Sequence, residues 1–286
     1  MARLLIDNDY LRLIQELNLE QVTGDNNQIK IDMEQAAQSE MISYLTQRYN
    51  TTNIFTNTTA FSLSAVYYAK NLVYLDGTAF SASTVYLTND IAVQAGNVYY
   101  STAGSAAHAF NASEWTLLGS QYSFFYVTLP NDEWDYYTEY AVGDIVWYAN
   151  KNYTCATACQ GITPGATGST SFWGSGTSYS VTAAFPTDDS LWTFGDNRNQ
   201  QVVLYLLDIT LYHLHSRINP RNIPDLRKER YDGNSPNQNG GAIGWLKKVA
   251  SGDVNADLPN IQPQQGMSIR YGNANDSTTQ SNNFLW

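Results

Sequence analysis

At 286 residues, 43% of them hydrophobic, the chain is long enough for one or two domains with a real core. Charged residues make up only 14%, against the usual quarter, and Tyr occurs 21 times, so Asn, Gln, Ser, Thr and Tyr must supply most of the polar surface. A net charge of −11 argues against sequence-independent DNA or RNA binding. No run approaches the roughly 18 apolar residues of a membrane helix, and the start MARLLIDNDYLRL lacks a signal-peptide core. The expectation is a soluble protein made in the cytoplasm, with no membrane partner.

Residues 1–49 read as helical. The first helix is predicted from Asn8 to Glu20, with Leu11, Ile14 and Leu17 on one face. A second follows from Asp32, with Gln35 three residues on as in a capping box. Its stripe is Met33, Ala37, Met41, Tyr44 and Leu45.

Residues 50–195 read as strands and carry 10 acids and 2 bases, against 16 acids and 13 bases elsewhere. This contrast predicts a β domain inserted into a discontinuous helical domain, 1–49 plus 196–252. The insert repeats: Tyr67, Asn71 and Phe80 share their spacing with Tyr86, Asp90 and Tyr99 and with Tyr140, Asp144 and Tyr153. After each Asn or Asp comes an apolar strand (LVYL, IAVQ, IVWY), then a turn at Asp76-Gly77, at Ala95-Gly96-Asn97 or at Ala149-Asn150-Lys151. Trp115 and Trp173 follow the second and third copies. The first copy is shorter and lacks that Trp, which leaves it partial or coincidental. The reading is two small modules, about 60–120 and 130–195, with a degenerate third hairpin.

In residues 196–252, Asp196 is the predicted cap of a central apolar helix, Val202–His215, that Asn219-Pro220 ends. Asn222-Ile223-Pro224 opens a short helix. Ala242, Leu246 and Val249 form the stripe of the last one, and Gly252 closes it. Residues 253–286 read as an extended arm, polar but with Met267, Ile269, Arg270, Tyr271, Phe284, Leu285 and Trp286 as contacts for a partner.

Candidate chemistry is sparse. Cys155 and Cys159 make no disulfide framework, and His108, His213 and His215 lie far from them in sequence, so no metal and no cofactor are expected. His213 and His215, two apart on a helix, face different ways. Asp132-Glu133-Asp135 and Asp188-Asp189 sit in polar turns as surface acids, and Gly240-Gly241 reads as a plain turn. No nucleophile elbow or phosphate loop is present, so no catalytic residue is assigned and an enzyme is not expected.

Two stretches carry family resemblances. Asp9-Tyr10-Leu11, Ser43-Tyr44-Leu45 to Arg48-Tyr49, the helix Val202–His215, Arg227-Lys228-Glu229-Arg230-Tyr231, and Ala242 through Trp245-Leu246 to Gly252 occur in one order around the insertion. In that pattern the frame resembles the tailed-phage head-completion and head–tail connector family, including its Mu-like branch; a decorated ring protein of this kind is expected in large crAss-like phages. The resemblance implies a helical bundle and a dodecameric ring beneath the portal, in the virion neck. In the insert, Tyr140, Gly143-Asp144, Val146-Trp147-Tyr148, Asn152-Tyr153, Gly161, Pro164 and Trp173 resemble small chitin- and cellulose-binding modules, which implies sugar stacking on exposed aromatics.

The expected fold is therefore α+β: a helical bundle with an inserted antiparallel β domain and an extended C-terminal arm. The expected function is a structural connector subunit assembled in the host cytoplasm. Its partners would be the portal protein, neighbouring copies and other neck or tail proteins, with DNA passing through an acidic lumen unbound. The alternative is a carbohydrate-binding virion protein, with Trp147, Tyr148, Trp173 and Trp115 as sugar or protein contacts.

Overall fold

Seven helices form among the described residues of the computed structural model, which are 3–24, 26–104, 106–218, 220–233 and 240–261: α1 (Asp7–Tyr10), α2 (Glu16–Thr23), α3 (Asn27–Leu45), α4 (Thr51–Ile54), α5 (Gln200–Ile218), α6 (Asp225–Asp232) and α7 (Gly241–Ser251). With several small sheets, they make a mixed α+β fold. The chain divides into two units, Met1–Pro130 with Tyr179–Ile261, and Asn131–Ser178.

One hydrophobic core draws on both ends of the chain. From the N-terminal part come Leu4, Tyr10, Ala37, Met41 and Leu45; from the C-terminal part Val203, Leu206, Leu214, Leu246 and Val249. Helix α5 buries residues on most of its faces, as expected of a central helix. Gly252 ends α7 in the left-handed conformation, where an L side chain would be strained.

The predicted first helix is instead two, α1 and α2. Asp9 and Tyr10 are drawn inward, and the chain turns after them so that Ile14 and Leu19 reach the core. Leu11 and Leu17, placed on the inner face by periodicity, are exposed. The second helix starts earlier than Asp32, because Asn26 accepts from the Gln28 N–H at 2.9 Å and caps it; Asp32 lies inside the helix and accepts from Gln28 Nε2. Asn199, not Asp196, caps α5: its side-chain oxygen accepts from Gln201 N and Val202 N, while Asp196 holds Arg198. The segment read as the start of an arm, residues 254–261, is packed on the helical body. Val254, Ala256 and Leu258 pack on the helical core, and the Ile261 N–H donates to the Arg48 carbonyl.

The strands, in chain order, are β1 (Thr58–Ala60), β2 (Val66–Tyr67), β3 (Leu72–Tyr74), β4 (Thr78–Ala79), β5 (Ile91–Gln94), β6 (Asn97–Ser101), β7 (Trp115–Ser120), β8 (Phe124–Val127), β9 (Glu139–Tyr140), β10 (Ile145–Tyr148), β11 (Lys151–Thr154), β12 (Cys159–Gln160), β13 (Thr177–Ser178), β14 (Val181–Thr182) and β15 (Trp192–Phe194). The sheets β1-β3-β8-β15 and β4-β5-β6-β7 share one plan. An outer strand runs parallel to the first strand of an antiparallel pair, and a third, antiparallel strand begins with Trp. Residues 131–178 follow the same plan, with Glu133 bridged in parallel to Trp147, β10 antiparallel to β11, and Cys155 bridged to Trp173.

The repeat therefore has three full copies. In the copy built from β1, β3, β8 and β15, the host module, residues 75–123 are threaded between the paired strands and hold the second copy, the nested module. The third module lies in the chain between β8 and β15. This nesting corrects the first copy as read from spacing. The aromatic facing Val73 is Phe125, not Phe80, and its Trp is Trp192. Phe80 belongs to the nested module, where it stacks on Tyr86 at 5.3 Å as Phe61 stacks on Tyr67 at 6.0 Å. Asp76-Gly77 is no hairpin turn. Asp76 accepts from Gln121 Nε2 at 2.8 Å and closes the base of the nested module. The other two turns hold, with positive φ at Ala95 and Gly96 and at Ala149 and Asn150, as tight hairpins require.

Candidate functional site

Each module is built around one Tyr and one Trp. The Tyr hydroxyls of Tyr67, Tyr86 and Tyr140 accept from the backbone N–H groups of Ser62, Ser81 and Asp135 at 2.7, 2.8 and 2.7 Å. Their rings meet Trp192, Trp115 and Trp173 edge-on at 5.2, 5.0 and 5.3 Å. Four residues after each Tyr, the side chains of Asn71, Asp90 and Asp144 accept from the N–H of the residue following that Tyr. The residue before the Asn or Asp has positive φ in all three: Lys70, Asn89 and Gly143. The spacing seen in the sequence is thus a core signature: a buried ring whose polar end and whose polar neighbour both satisfy backbone donors.

This packing settles where the proposed sugar contacts lie. Trp115, Trp147 and Trp173 are 5%, 8% and 1% exposed. Trp173 also donates its indole N–H to the Ile162 carbonyl at 2.7 Å. Tyr148 is half-buried, edge-on to Trp134 at 5.4 Å. These four residues form no flat exposed strip: Trp115, Trp173 and Tyr148 belong to module interiors, and Trp147 is buried as well. Among the described residues the exposed aromatics are elsewhere, at Tyr68, Tyr137 and Phe194.

The acids of the insert stabilise turns. Asp135 accepts from Tyr137 N and Asp188 from Ser190 N. The Glu40 carboxylate accepts from His213 Nε2 at 2.9 Å and from the Tyr231 hydroxyl at 2.7 Å, joining α3, α5 and α6. Burial pushes the Glu40 carboxyl up, but these two bonds outweigh it and hold its pKa below the ordinary value. His215 turns to its own helix, at the Leu211 carbonyl, so the two histidines do face different ways. Among the described residues no group of three or more His, Cys, Asp or Glu is arranged to hold a metal ion.

The groups that sequence reading missed are buried charges of the helical body. Arg198 lies under the surface with Asp9: Nη1 donates to Asp9 Oδ2 at 2.7 Å and to the Leu4 carbonyl at 2.8 Å, and Nη2 donates to Asp196 Oδ2 at 2.8 Å. Its guanidinium also covers the Phe124 ring at 4.5 Å, which ties the helical body to the host module. Glu34, on the inner stripe of α3, accepts from Leu5 N, Arg3 Nε and the Tyr10 hydroxyl. A cleft of about 350 Å³ opens nearby, lined by Asp7, Glu16, Glu20, Lys30, Leu11 and Tyr122. Exposed apolar side chains of the helical body include Leu11, Leu17, Leu204, Ile218, Leu226 and Ile261.

Met267, Ile269, Arg270, Tyr271, Phe284, Leu285 and Trp286, the predicted docking residues, lie outside the described residues. Among the described residues no helix is long and apolar enough to cross a membrane. No known protein family matches the chain, and no curated protein does.

Proposed function

We propose that the chain is a structural virion subunit, a head–tail connector that forms a ring beneath the portal of a tailed phage. The observation that supports this most is the helical core assembled from both chain ends, residues 4–55 and 202–258, with the β modules carried between them. Its helices follow one another as in the connector resemblance, through Trp245-Leu246 on α7 to the Gly252 cap. The exposed leucines and isoleucine of α2, α5, α6 and the loop after α1 supply apolar surface for a repeated head-to-tail contact, which closes into a ring.

In this reading residues 262–286 form the arm that docks on the portal, the ring is a dodecamer in the virion neck, and the β modules meet other neck or tail proteins. The subunit is assembled in the host cytoplasm and does no chemistry. DNA slides through an acidic lumen without specific contacts.

Mass photometry of the purified chain, alone and mixed with the portal protein of the same genome, tests this. The expected result is a portal particle heavier by a ring of subunits, lost when the chain is cut after Ile261. That cut spares the docked segment 254–261. No association at any salt concentration would overturn the connector reading.

A further inference from the structure

The two cysteines of the third module sit together although neither is in a disulfide. Cys155 follows β11, and Cys159 opens β12; between them the chain reverses, with Ala156 N and Thr157 N both donating to the Phe172 carbonyl. The Cys155 thiol donates to the Thr157 carbonyl at 3.2 Å, inside the loop that joins the two cysteines, and burial with the neighbouring Cys155 raises the Cys159 thiol to about 11. Both belong to the same apolar cluster, Cys155 buried against Trp173 and Cys159 half-buried and reachable from solvent. Tyr140 joins them: Cys159 pairs with it across the β9–β12 ladder, and Cys155 Sγ points at its carbonyl.

We infer that Cys155 and Cys159 are a redox pair that closes into a disulfide within the third module when the chain leaves a reducing compartment. The oxidant is a small-molecule disulfide such as oxidised glutathione. The Cys159 thiolate, once formed by loss of its proton, attacks one glutathione sulfur and releases one glutathione thiolate. Cys155, deprotonated in turn, then attacks Sγ of Cys159 and releases the second. Two thiols become one disulfide, and one glutathione disulfide becomes two glutathione thiols. The raised thiol predicts slow closure at neutral pH and faster closure as pH rises towards 11. The bond fastens the outer β9–β12 pair to the hairpin β10–β11. For so short a closed loop, local opening there should become roughly 30-fold rarer.

The full chain is equilibrated with a glutathione buffer, quenched with acid, and read by intact mass and peptide mapping. The expected product has lost two hydrogens, carries no glutathione, and links residues 155 and 159. Hydrogen exchange at β9 and β12 should slow correspondingly. Cys159→Ser should give at most one glutathione adduct and unchanged exchange. Both thiols still free, or each carrying its own glutathione, in the most oxidising buffer would overturn the inference.

Discussion

Replacing Arg198 with Met removes a guanidinium that is almost wholly buried and leaves the equally buried Asp9 carboxylate with a hydrogen bond from Ile6 N and a longer contact to Arg12 at 3.3 Å. Lost with it are the bonds to the Leu4 carbonyl and to Asp196, and the contact over Phe124. Breaking a buried ion pair from one side costs about 3–5 kcal/mol, mostly because the remaining charge is stranded. That is a large part of a typical domain's total stability of roughly 5–15 kcal/mol. Met fills much of the same volume, so a cavity contributes little. The assay is urea unfolding of the full chain followed by far-ultraviolet circular dichroism, which reports α3 and α5. Arg198→Met should lower the helical transition by about 4 kcal/mol, and adding Asp9→Asn should recover at least about 1 kcal/mol by removing the stranded charge. A single-variant loss below about 1 kcal/mol, or no recovery in the double variant, would refute the stranded-charge argument.

The three modules should respond alike to the same change. Tyr67→Phe, Tyr86→Phe and Tyr140→Phe each delete one short bond to a backbone N–H and should each cost about 1 kcal/mol, measured by the unfolding of the affected unit. Trp192→Ala should cost about 3–5 kcal/mol and loosen the nested module too, since Val98 and Leu118 share its cluster; hydrogen exchange in β6 and β7 would show it. Acid should weaken the helical body. The carboxyls of Asp7, Asp196 and Glu40 are pushed up by burial but held lower overall by their partners. The stability they contribute is complete above the ordinary values of 3.8 and 4.5 and is lost as pH falls through their lower folded values. Burial raises Glu34 and Asp208, so their contribution has the opposite sign, present at low pH and lost as pH rises through their raised values. Glu40→Gln should therefore flatten the acid limb of a stability–pH curve, and Glu34→Gln should steepen it.

Much of the module plan was legible because its determinants are local. Tyr, the Asn or Asp four residues on, and the tight turn lie within one short stretch, and each satisfies backbone groups of that stretch. What spacing could not reveal was the partner brought from afar. Phe125 completes the host module from beyond the nested module and Trp192 from beyond both other modules, so the regular interval pointed to Phe80 instead. Periodicity likewise found α5 and α7, whose buried residues are mostly apolar, Asp208 and Thr210 of α5 excepted. It misread residues 8–20 because Asp9 is pulled inward by Arg198, a contact between residues 189 apart in the chain. The inner stripe of α3 carries Lys30, Glu34 and Gln38, polar residues that a hydrophobic pattern assigns to solvent. The alternation Val254, Ala256, Leu258 was a readable sign that the tail stays docked to that point. For the proposed sugar contacts, residue type was visible but burial was not: Trp115 and Trp173 sit in module cores, and Trp147 is also buried.

The nesting of one module inside another also orders events in time. The nested and third modules close over short loops, and each can fold as soon as it is synthesised. The host module cannot: β3 must wait for β8, and β8 for β15, with a finished module looped out between each pair. The helical body waits longer still, because α3 meets α5 only after the whole insert has emerged. Until then the stripe of Ala37, Met41 and Leu45 lacks the α5 and α7 residues that share its core in the finished fold. Each prefolded module shortens the effective loop that remains to be closed, which lowers the entropy cost of joining the two ends. Folding is therefore expected to proceed from the innermost segments outward, with the helical body, whose core needs residues from both sides of the insert, closing last.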